Sequence, residues 1–252
     1  MKPIHFLIAG VAALASAACN AEQQPQGSAG AGAATGPVAK VERPASGDWT
    51  EAVVATNEGG FVMGNPDASV KLVEFGSMTC SACAAFDQTA LPQLLDKHVK
   101  TGKVSFEFRN FVRDPYDITA ALIARCNGAK TFFPLTRAMF EDQAEWTGKL
   151  QQVPPEQMQG LQSMPPEQQF TAVAKWAGLQ QFAAMRGVPA AKSSQCLADQ
   201  NEINRLVQMN SDATSQYDVA GTPTFLINGE AIKEPGWQGL EPAIQQALGE
   251  GG

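Results

Sequence analysis

The chain has 252 residues, of which 44% are hydrophobic and 17% are charged, so it is long enough to bury a substantial core. Its formal net charge of −7 makes it a poor candidate for binding nucleic acid or an anionic bilayer by charge. The sequence contains two histidines and no P-loop, dinucleotide-binding fingerprint or Gly-x-Ser-x-Gly motif. We therefore expect no nucleic-acid partner, no cofactor and no histidine-assisted hydrolase chemistry.

Residues 1–18 are typical of an export leader. Lys2 supplies a positive start, residues 4–14 form a short apolar core, and residues 15–18 are the small side chains expected before a cleavage point. The apolar core is too short to span a bilayer as a permanent anchor. We therefore predict export to the periplasm, a compartment in which disulfides persist.

Cys19 directly follows this leader. The segment Ser16-Ala17-Ala18-Cys19 resembles a bacterial lipoprotein processing site, in which the cysteine is lipidated and becomes the new N-terminus; Ser16 departs from the usual Leu. The alternative is ordinary cleavage after Ala17 or Ala18, with Cys19 incidental. Five cysteines leave one over if the other four pair, which favours lipidation. We predict a lipid anchor on Cys19.

The next segment, residues 19–48, is rich in Gln, Ala, Gly, Ser and Pro and has almost no large apolar side chain. Such a segment cannot bury enough apolar surface to offset the entropy of ordering it. We predict a disordered tether here and a folded domain over residues 49–252. Short strands are expected at residues 53–55 and 61–63, on either side of a glycine-containing turn.

The centre of the domain pairs a strand with a helix. Residues 70–75 form an apolar run that is typical of a buried strand. Residues 76–79 break this run, and a Cys-x-x-Cys motif at residues 80–83 follows. The apolar side chains after the motif recur at mixed three-to-five spacing, which predicts a helix that Pro92 should kink or interrupt.

This order of strand, turn, cysteine motif and helix predicts a chemistry for Cys80 and Cys83. Residues three apart on a helix share a face, so the two sulfurs can form a small disulfide ring. Cys80 would lie at the helix N-terminus, where unpaired N–H groups and the helix dipole favour the attacking thiolate. Cys83, one turn deeper, should be more buried and is suited to resolving a mixed disulfide.

Two alternatives for the cysteine motif are an inert local disulfide and half of a zinc site. Zinc normally requires four ligands at close spacing. The other cysteines of this chain are far apart, and His98 is the only histidine beyond the leader. We therefore predict redox chemistry and no metal.

A strand is predicted at residues 103–111, followed by a long region of helical composition at about residues 115–216. Cys126 and Cys196 both lie in this region, and we predict a structural disulfide between them. The alternative is that one of them is a second redox thiol, although neither has a Cys-x-x-Cys partner or a helix-start setting.

In the last part of the chain, the sequence predicts a loop that begins at residue 217 and a strand at residues 224–228. A turn at Asn228-Gly229 leads to an edge strand at residues 229–232. A turn at residues 235–237 then precedes a terminal helix at residues 240–248. These elements complete a β-β-α unit.

Two stretches together, LVEFGSMTCSAC (residues 72–83) and VAGTPTFLING (residues 219–229), resemble the DsbA-like periplasmic thiol-disulfide oxidoreductases. The resemblance implies an α/β thioredoxin-like fold with a helical subdomain inserted between a βαβ half and a ββα half. It also implies that Pro223 is cis and lies against the cysteine motif. Thr222 would offer its backbone to an extended substrate peptide.

The same resemblance implies roles for three further residues. Glu74 falls at the position of a buried acid beneath the active-site disulfide; burial would raise its pKa, so that it could relay a proton to or from Cys83. The plain alternative places Glu74 in solvent at a strand end. Ser81 and Ala82, between the cysteines, are expected to contact the substrate together with Thr222 and Pro223.

From these features we predict an exported enzyme that oxidises dithiols in substrate proteins through a Cys80–Cys83 disulfide. The resemblance implies a quinone-linked membrane protein that reoxidises the pair. The strongest oxidants of the family carry Pro-His between the cysteines, whereas this chain has Ser81-Ala82, so a disulfide isomerase or a client-specific reductase stays open. A non-enzymatic alternative is a thioredoxin-like binding module or chaperone.

The resemblance also bears on the oligomeric state of the protein. Isomerases of this fold class often dimerise through an added N-terminal domain. Residues 20–47 are too polar and featureless for such a domain, so we expect a monomer.

Overall fold

The structure, a computed structural model, describes residues 41–234 and 236–250. The predicted leader, Cys19 and most of the predicted tether lie outside the described residues. Residues 41–48, the described part of the predicted tether, contain neither helix nor strand. Within the described part of the chain, no helix combines the length and the apolar character needed to cross a bilayer.

Among the described residues, six strands form one sheet in the order β1-β2-β4-β3-β5-β6. They are β1 (Val53–Ala55), β2 (Phe61–Gly64), β3 (Val70–Gly76), β4 (Val104–Asn110), β5 (Thr224–Ile227) and β6 (Glu230–Ala231). Strand β3 runs parallel to β4 and antiparallel to β5. Every residue of β3 except Lys71 is buried, which explains its nearly continuous apolar sequence.

Helices cover both faces of this sheet. They are α1 (Ser81–Thr89), α2 (Leu91–Leu94), α3 (Pro115–Arg125), α4 (Ala129–Glu141), α5 (Gln143–Gln151), α6 (Pro155–Leu161), α7 (Pro166–Trp176), α8 (Leu179–Ala184), α9 (Ala190–Leu197), α10 (Gln200–Tyr217) and α11 (Trp237–Ala247). Helices α3 to α10 form an insert between β4 and β5, whereas α11 follows β6. The predicted thioredoxin-like fold, a βαβ half and a ββα half separated by a helical insert, is confirmed.

The two faces of β3 belong to different cores because side chains alternate along a strand. Val70 and Leu72 pack in the main core, which includes α1 and most of the insert. Val73 and Phe75 pack in a smaller core with Ala213 of α10. The alternation places residue 74 on the α1 side of the sheet.

Aromatic side chains join the insert to the sheet. The ring of Phe132 on α4 stacks on Phe61 of β2 with centroids 4.2 Å apart, and it lies 5.8 Å from the ring of Phe108 on β4. The ring of Phe106 on β4 lies tilted against the ring of Phe133 on α4, with the two centroids 5.9 Å apart. The insert is therefore packed directly on the sheet that carries the cysteine motif.

Pro92 has the predicted effect on the first helix. Helix α1 ends at Thr89, and the short helix α2 begins at Leu91 with the proline in its first turn. A proline is tolerated there because the first N–H groups of a helix have no partner within the helix. A π-helical turn, Leu95–Val99, then leads toward β4.

The C-terminal helix begins earlier than the sequence predicted. Helix α11 starts at Trp237, which the sequence had placed in a turn. The Gly236 carbonyl accepts hydrogen bonds from the N–H groups of Gly239 and Leu240, so Gly236 is the N-cap of this helix. A glycine that precedes a helix was thus mistaken for the centre of a turn. Strand β6 is also shorter than the predicted residues 229–232.

A disulfide joins Cys126, at the end of α3, to Cys196 of α9, with the two Cα atoms 5.5 Å apart. The bridge closes a loop of 70 residues within the insert. On the chain-entropy model, a loop of this length stabilises the folded state by roughly 4 kcal/mol. It therefore ties the end of α3 to α9 within the insert.

Candidate active site

Cys80 lies at the start of α1, where the loop after β3 ends. It is the N-cap residue of α1, and its sulfur accepts a hydrogen bond from the Cys83 N–H at 3.4 Å. The Cys80 thiol donates to the carbonyl oxygen of Thr222 at 3.3 Å. Cys80 and Cys83 are both free thiols in this structure. The motif and the Thr222-Pro223 segment therefore form one site.

The two thiols have very different acidities. A hydrogen bond with the Cys83 side chain is the largest cause that lowers the pKa of Cys80, from 9.0 to about 5. The N–H groups of Cys83 and Ala82 also lower this pKa, whereas burial raises it. The pKa of Cys83 is raised by its hydrogen bond to Cys80, by burial and by Glu74. At neutral pH, Cys80 is thus the thiolate and Cys83 the protonated thiol.

Little of either cysteine of the motif is exposed to solvent. Only 6% of the Cys80 surface is exposed, and Cys83 is completely buried. Ser81 and Ala82 are exposed, and Thr222 and Pro223 are half-buried. A substrate sulfur would therefore reach Cys80 between these two pairs of residues.

The register of the sheet explains how the Thr222-Pro223 segment reaches the motif. Thr224 of β5 pairs with Phe75 of β3, so the residues just before β5 lie beside the loop that follows β3. The Thr222–Pro223 peptide bond is cis, as the resemblance to the DsbA-like proteins led us to expect. The Thr222 hydroxyl is buried and has no hydrogen-bond partner among the described residues.

Glu74 lies beneath the motif, on the α1 side of β3. It is 2% exposed, and its pKa is raised well above 4.5 by burial first, and then by the charges of Asp87 and Cys80. Its Oε1 atom has no hydrogen-bond partner within the described part of the chain. A Cβ atom at Gly76 would lie 3.0 Å from this oxygen and 2.4 Å from the Phe108 ring. A glycine is therefore required where the chain passes the carboxyl group.

Asp87 is a second buried acid, and the sequence did not indicate it. It lies on α1, one turn after Cys83, and burial raises its pKa from 3.8 to about 6. Arg137 of α4 lies 3.7 Å from the Asp87 carboxylate and lowers this pKa. The spacing of four residues from Cys83 was the available signal, because residues i and i+4 share a helix face.

The loop before Cys80 is anchored by Asp117 of α3, a second residue that the sequence did not indicate. Asp117 is fully buried and accepts hydrogen bonds from the Ser77 hydroxyl at 2.6 Å and the Met78 N–H at 2.8 Å. Burial raises its pKa to about 6, although these bonds lower it. Arg113, just before α3, donates to the hydroxyls of Ser77 and Thr79. The insert thus holds the loop that carries Cys80.

The Cys126–Cys196 disulfide lies apart from this site. It lines a cavity of about 350 Å³ together with Arg125, Lys192 and Arg205, among others, and neither Cys80 nor Cys83 is among the lining residues. Across residues 41–234 and 236–250, no cluster of three or more His, Cys, Asp or Glu side chains could hold a metal ion.

Comparison with known proteins places this site in a family. A family model described as thioredoxin matches residues 56–246. The chain belongs to the thioredoxin family. A crystal structure named protein-disulfide isomerase, from Novosphingobium aromaticivorans, is 35% identical, with a TM-score of 0.71 over 75% of this chain and 97% of that chain.

More distant proteins are also similar to this chain. The crystal structure of Wolbachia pipientis α-DsbA1 is 21% identical, with a TM-score of 0.61 over 75% of this chain and 91% of that chain. A Rickettsia bellii protein named "putative protein-disulfide oxidoreductase" is 25% identical over 197 residues, which is 77% of this chain and 66% of that protein. The chain spans 60 to 66% of the length of three such Rickettsia relatives.

The buried acids predict a specific dependence of stability on pH. The pKa of Glu74 is higher in the folded than in the unfolded protein, so its contribution to stability is complete below pH 4.5 and is lost as the pH rises toward its folded pKa. Wild type should lose up to about 1.4 kcal/mol per pH unit from this group. Glu74→Gln should remove this loss. The free energy of unfolding of the variant, relative to that of wild type, should therefore increase from pH 4.5 upward.

Urea unfolding at a series of pH values checks this prediction. The exposed Glu156→Gln variant is the control, and its stability should follow that of wild type at every pH. If the curves of Glu74→Gln and wild type run parallel from pH 4 to 8, Glu74 is not a buried acid with a raised pKa.

Proposed function

We propose that the protein is a thiol-disulfide oxidoreductase that oxidises dithiols in substrate proteins through a Cys80–Cys83 disulfide. The observation that carries the proposal is the contrast between the two thiols at the start of α1. The pKa of Cys80 is lowered to about 5, whereas that of the fully buried Cys83 is raised. Large pKa shifts of this kind cluster at functional sites, and an inert structural disulfide does not require such a difference between the pKa values of its two thiols.

The reaction would begin with the oxidised pair. A substrate thiolate attacks the Cys80 sulfur, the Cys80–Cys83 bond breaks, and Cys83 leaves with the bonding electrons. Because the pKa of Cys83 is raised, its sulfur takes up a proton, and the protonated Glu74 beneath it is the group we propose as the donor. The product of this step is a mixed disulfide between the substrate and Cys80.

The second step releases the product. Another substrate thiolate attacks the substrate sulfur of the mixed disulfide, and Cys80 leaves as a thiolate. The Cys83 N–H and the N-terminus of α1 stabilise this leaving group. The substrate departs with a disulfide, and its two electrons remain on the reduced Cys80 and Cys83. A separate membrane redox partner would then have to reoxidise the pair.

The low pKa of Cys80 supports oxidation over reduction as the preferred direction. A stabilised thiolate favours the dithiol form of the enzyme, and a couple whose reduced form is stabilised is a stronger oxidant. Disulfide isomerisation is the second candidate, because the structure that is 35% identical is named a protein-disulfide isomerase. An isomerase would use the same Cys80 thiolate, but from the reduced pair.

Substitution of each cysteine tests the proposal. With a reduced, unfolded four-disulfide protein as substrate, the oxidised wild type should form disulfides, and Cys80→Ser should fall to the uncatalysed rate. Cys83→Ser, given instead a substrate that already contains disulfides, should accumulate a mixed disulfide at Cys80, because the Cys80 thiolate attacks the substrate disulfide, one substrate sulfur leaves as a thiolate, and no second active-site thiol resolves the bond. This species should appear as a band on non-reducing gels that dithiothreitol removes. The Cys126→Ser/Cys196→Ser double variant is the control and should turn over like wild type.

The results separate the alternatives. Activity on a scrambled substrate by the reduced enzyme, without oxidation of a reduced substrate, would assign isomerisation instead. Full activity of Cys80→Ser would exclude Cys80 as the nucleophile. Absence of any exchange by wild type would leave a binding module.

We also propose that the protein works in the periplasm as a monomer, anchored by a lipid on Cys19. The leader at residues 1–18 and the disulfide between Cys126 and Cys196 support an oxidising compartment. When cells are extracted with a detergent that separates from water on warming, the wild type should be recovered in the detergent phase and Cys19→Ser in the aqueous phase. If both proteins are recovered from the aqueous phase, the leader is cleaved in the ordinary way and Cys19 carries no lipid.

A further inference from the structure

Gln143, the first residue of α5, reaches from the insert to the backbone of the active-site loop. Its side-chain nitrogen donates to the carbonyl oxygen of Met78 at 2.8 Å and to that of Cys80 at 3.0 Å. The residue is only 9% exposed. An amide NH₂ group has two donors, so both are used on this loop.

These two carbonyl groups are well placed to control the nucleophile. The Cys80 carbonyl also accepts from the Ala84 N–H at 3.1 Å, which is the first backbone hydrogen bond of α1. Met78 is bound at both of its backbone polar groups, since Asp117 accepts from its N–H and Gln143 donates to its carbonyl. Two helices of the insert therefore fix the residues just before the thiol.

Gln143 is itself held in place by its own helix. The Thr147 hydroxyl donates to the Gln143 carbonyl at 2.6 Å. The indole N–H of Trp146, which is buried, donates to the Met139 carbonyl across the junction of α4 and α5. The position of the amide is thus set by the packing of the insert and not by the loop that it contacts.

We propose that Gln143 is a positioning residue for Cys80: its two hydrogen bonds hold the Cys80 backbone so that the sulfur stays at the N-terminus of α1, within reach of the Cys83 N–H. The inference rests on the proposed function. It assigns to the helical insert a part in setting the reactivity of the nucleophile.

Loss of the amide would leave two buried carbonyls without this donor and would free the loop to shift. The Cys83 nitrogen lies 3.4 Å from the Cys80 sulfur. Because a hydrogen bond weakens as its distance and angle change, a shift of the loop would weaken this bond. The Cys80 thiolate would then be less stable, its pKa would rise, and the reduced pair would be disfavoured.

The test compares Gln143→Met with Gln88→Met. The Gln88 amide donates to the Phe140 carbonyl at 3.0 Å, so it also ties α1 to the insert but does not contact the Cys80 backbone. For each protein, thiolate absorbance against pH gives the pKa of Cys80, and equilibration with glutathione gives the equilibrium constant for reduction of the pair. Thermal unfolding gives the stability.

Gln143→Met should raise the pKa of Cys80 and lower the equilibrium constant for reduction about three- to tenfold, the effect of one net hydrogen bond. Gln88→Met should stay within about twofold of wild type, since it leaves this bond intact. Gln143→Leu also removes both donors and adds no charge near Cys80, so it should show the same shift if Gln143→Met fails to fold.

Two results would overturn the inference. One is a lower unfolding temperature of the Gln143 variants with an unchanged Cys80 pKa, which would make the residue merely structural. The other is an equal shift in Gln88→Met, which would assign the effect to general loosening of the insert. If the Cys80–Cys83 disulfide of the wild type is not reversibly reduced and reoxidised in glutathione buffers, the proposed function itself is wrong, whatever the variants do.

Discussion

The hydrogen bond from the Cys83 N–H to the Cys80 sulfur ties the chemistry of the site to the start of α1. At this point the first N–H groups of the helix lack partners within the helix and can stabilise a negative charge. The rest of the architecture keeps the sulfur there. Strand β3 leads into the loop that carries Cys80, and Asp117 holds this loop by accepting hydrogen bonds from the Ser77 hydroxyl and the Met78 N–H.

The acids beneath the motif represent a compromise between stability and chemistry. Glu74 and Asp87 are buried, and burial is the main reason that the pKa of each is raised. A fold selected for stability alone would place apolar side chains at such positions. In the proposed reaction, a neutral carboxyl group is what the Cys83 thiolate needs, because it can supply a proton where water does not reach. The loss of stability at higher pH follows from the same burial.

Much of the fold could be predicted from local sequence patterns. The strand at β3, the cysteine motif and the interruption at Pro92 are each encoded within a few residues, and the structure contains all three. Glu74 could be singled out because a charged residue in an apolar run is conspicuous, and the resemblance to the DsbA-like proteins suggested its role. The start of α11 was misplaced because a glycine can either form a turn or cap a helix.

The residues that the sequence did not reveal act over long distances along the chain. Asp117 and Gln143 bond to Met78 across 39 and 65 residues, and their neighbours in sequence give no sign of that contact. Only the packing of the insert on the sheet, through rings such as Phe132 on Phe61, brings them to the loop. Asp87 is the exception, since its spacing from Cys83 could have been noticed.

The most direct measurement is the pKa of Cys80 in the reduced protein, with the Cys126–Cys196 disulfide intact. The rate at which Cys80 is alkylated at a series of pH values, followed by mass spectrometry of the modified peptide, reports this pKa. We expect a pKa of about 5 for Cys80 and no comparable reactivity of Cys83. A pKa near the ordinary 9.0 would contradict this expectation, because the start of α1 would then not stabilise the thiolate on which the proposed reaction depends.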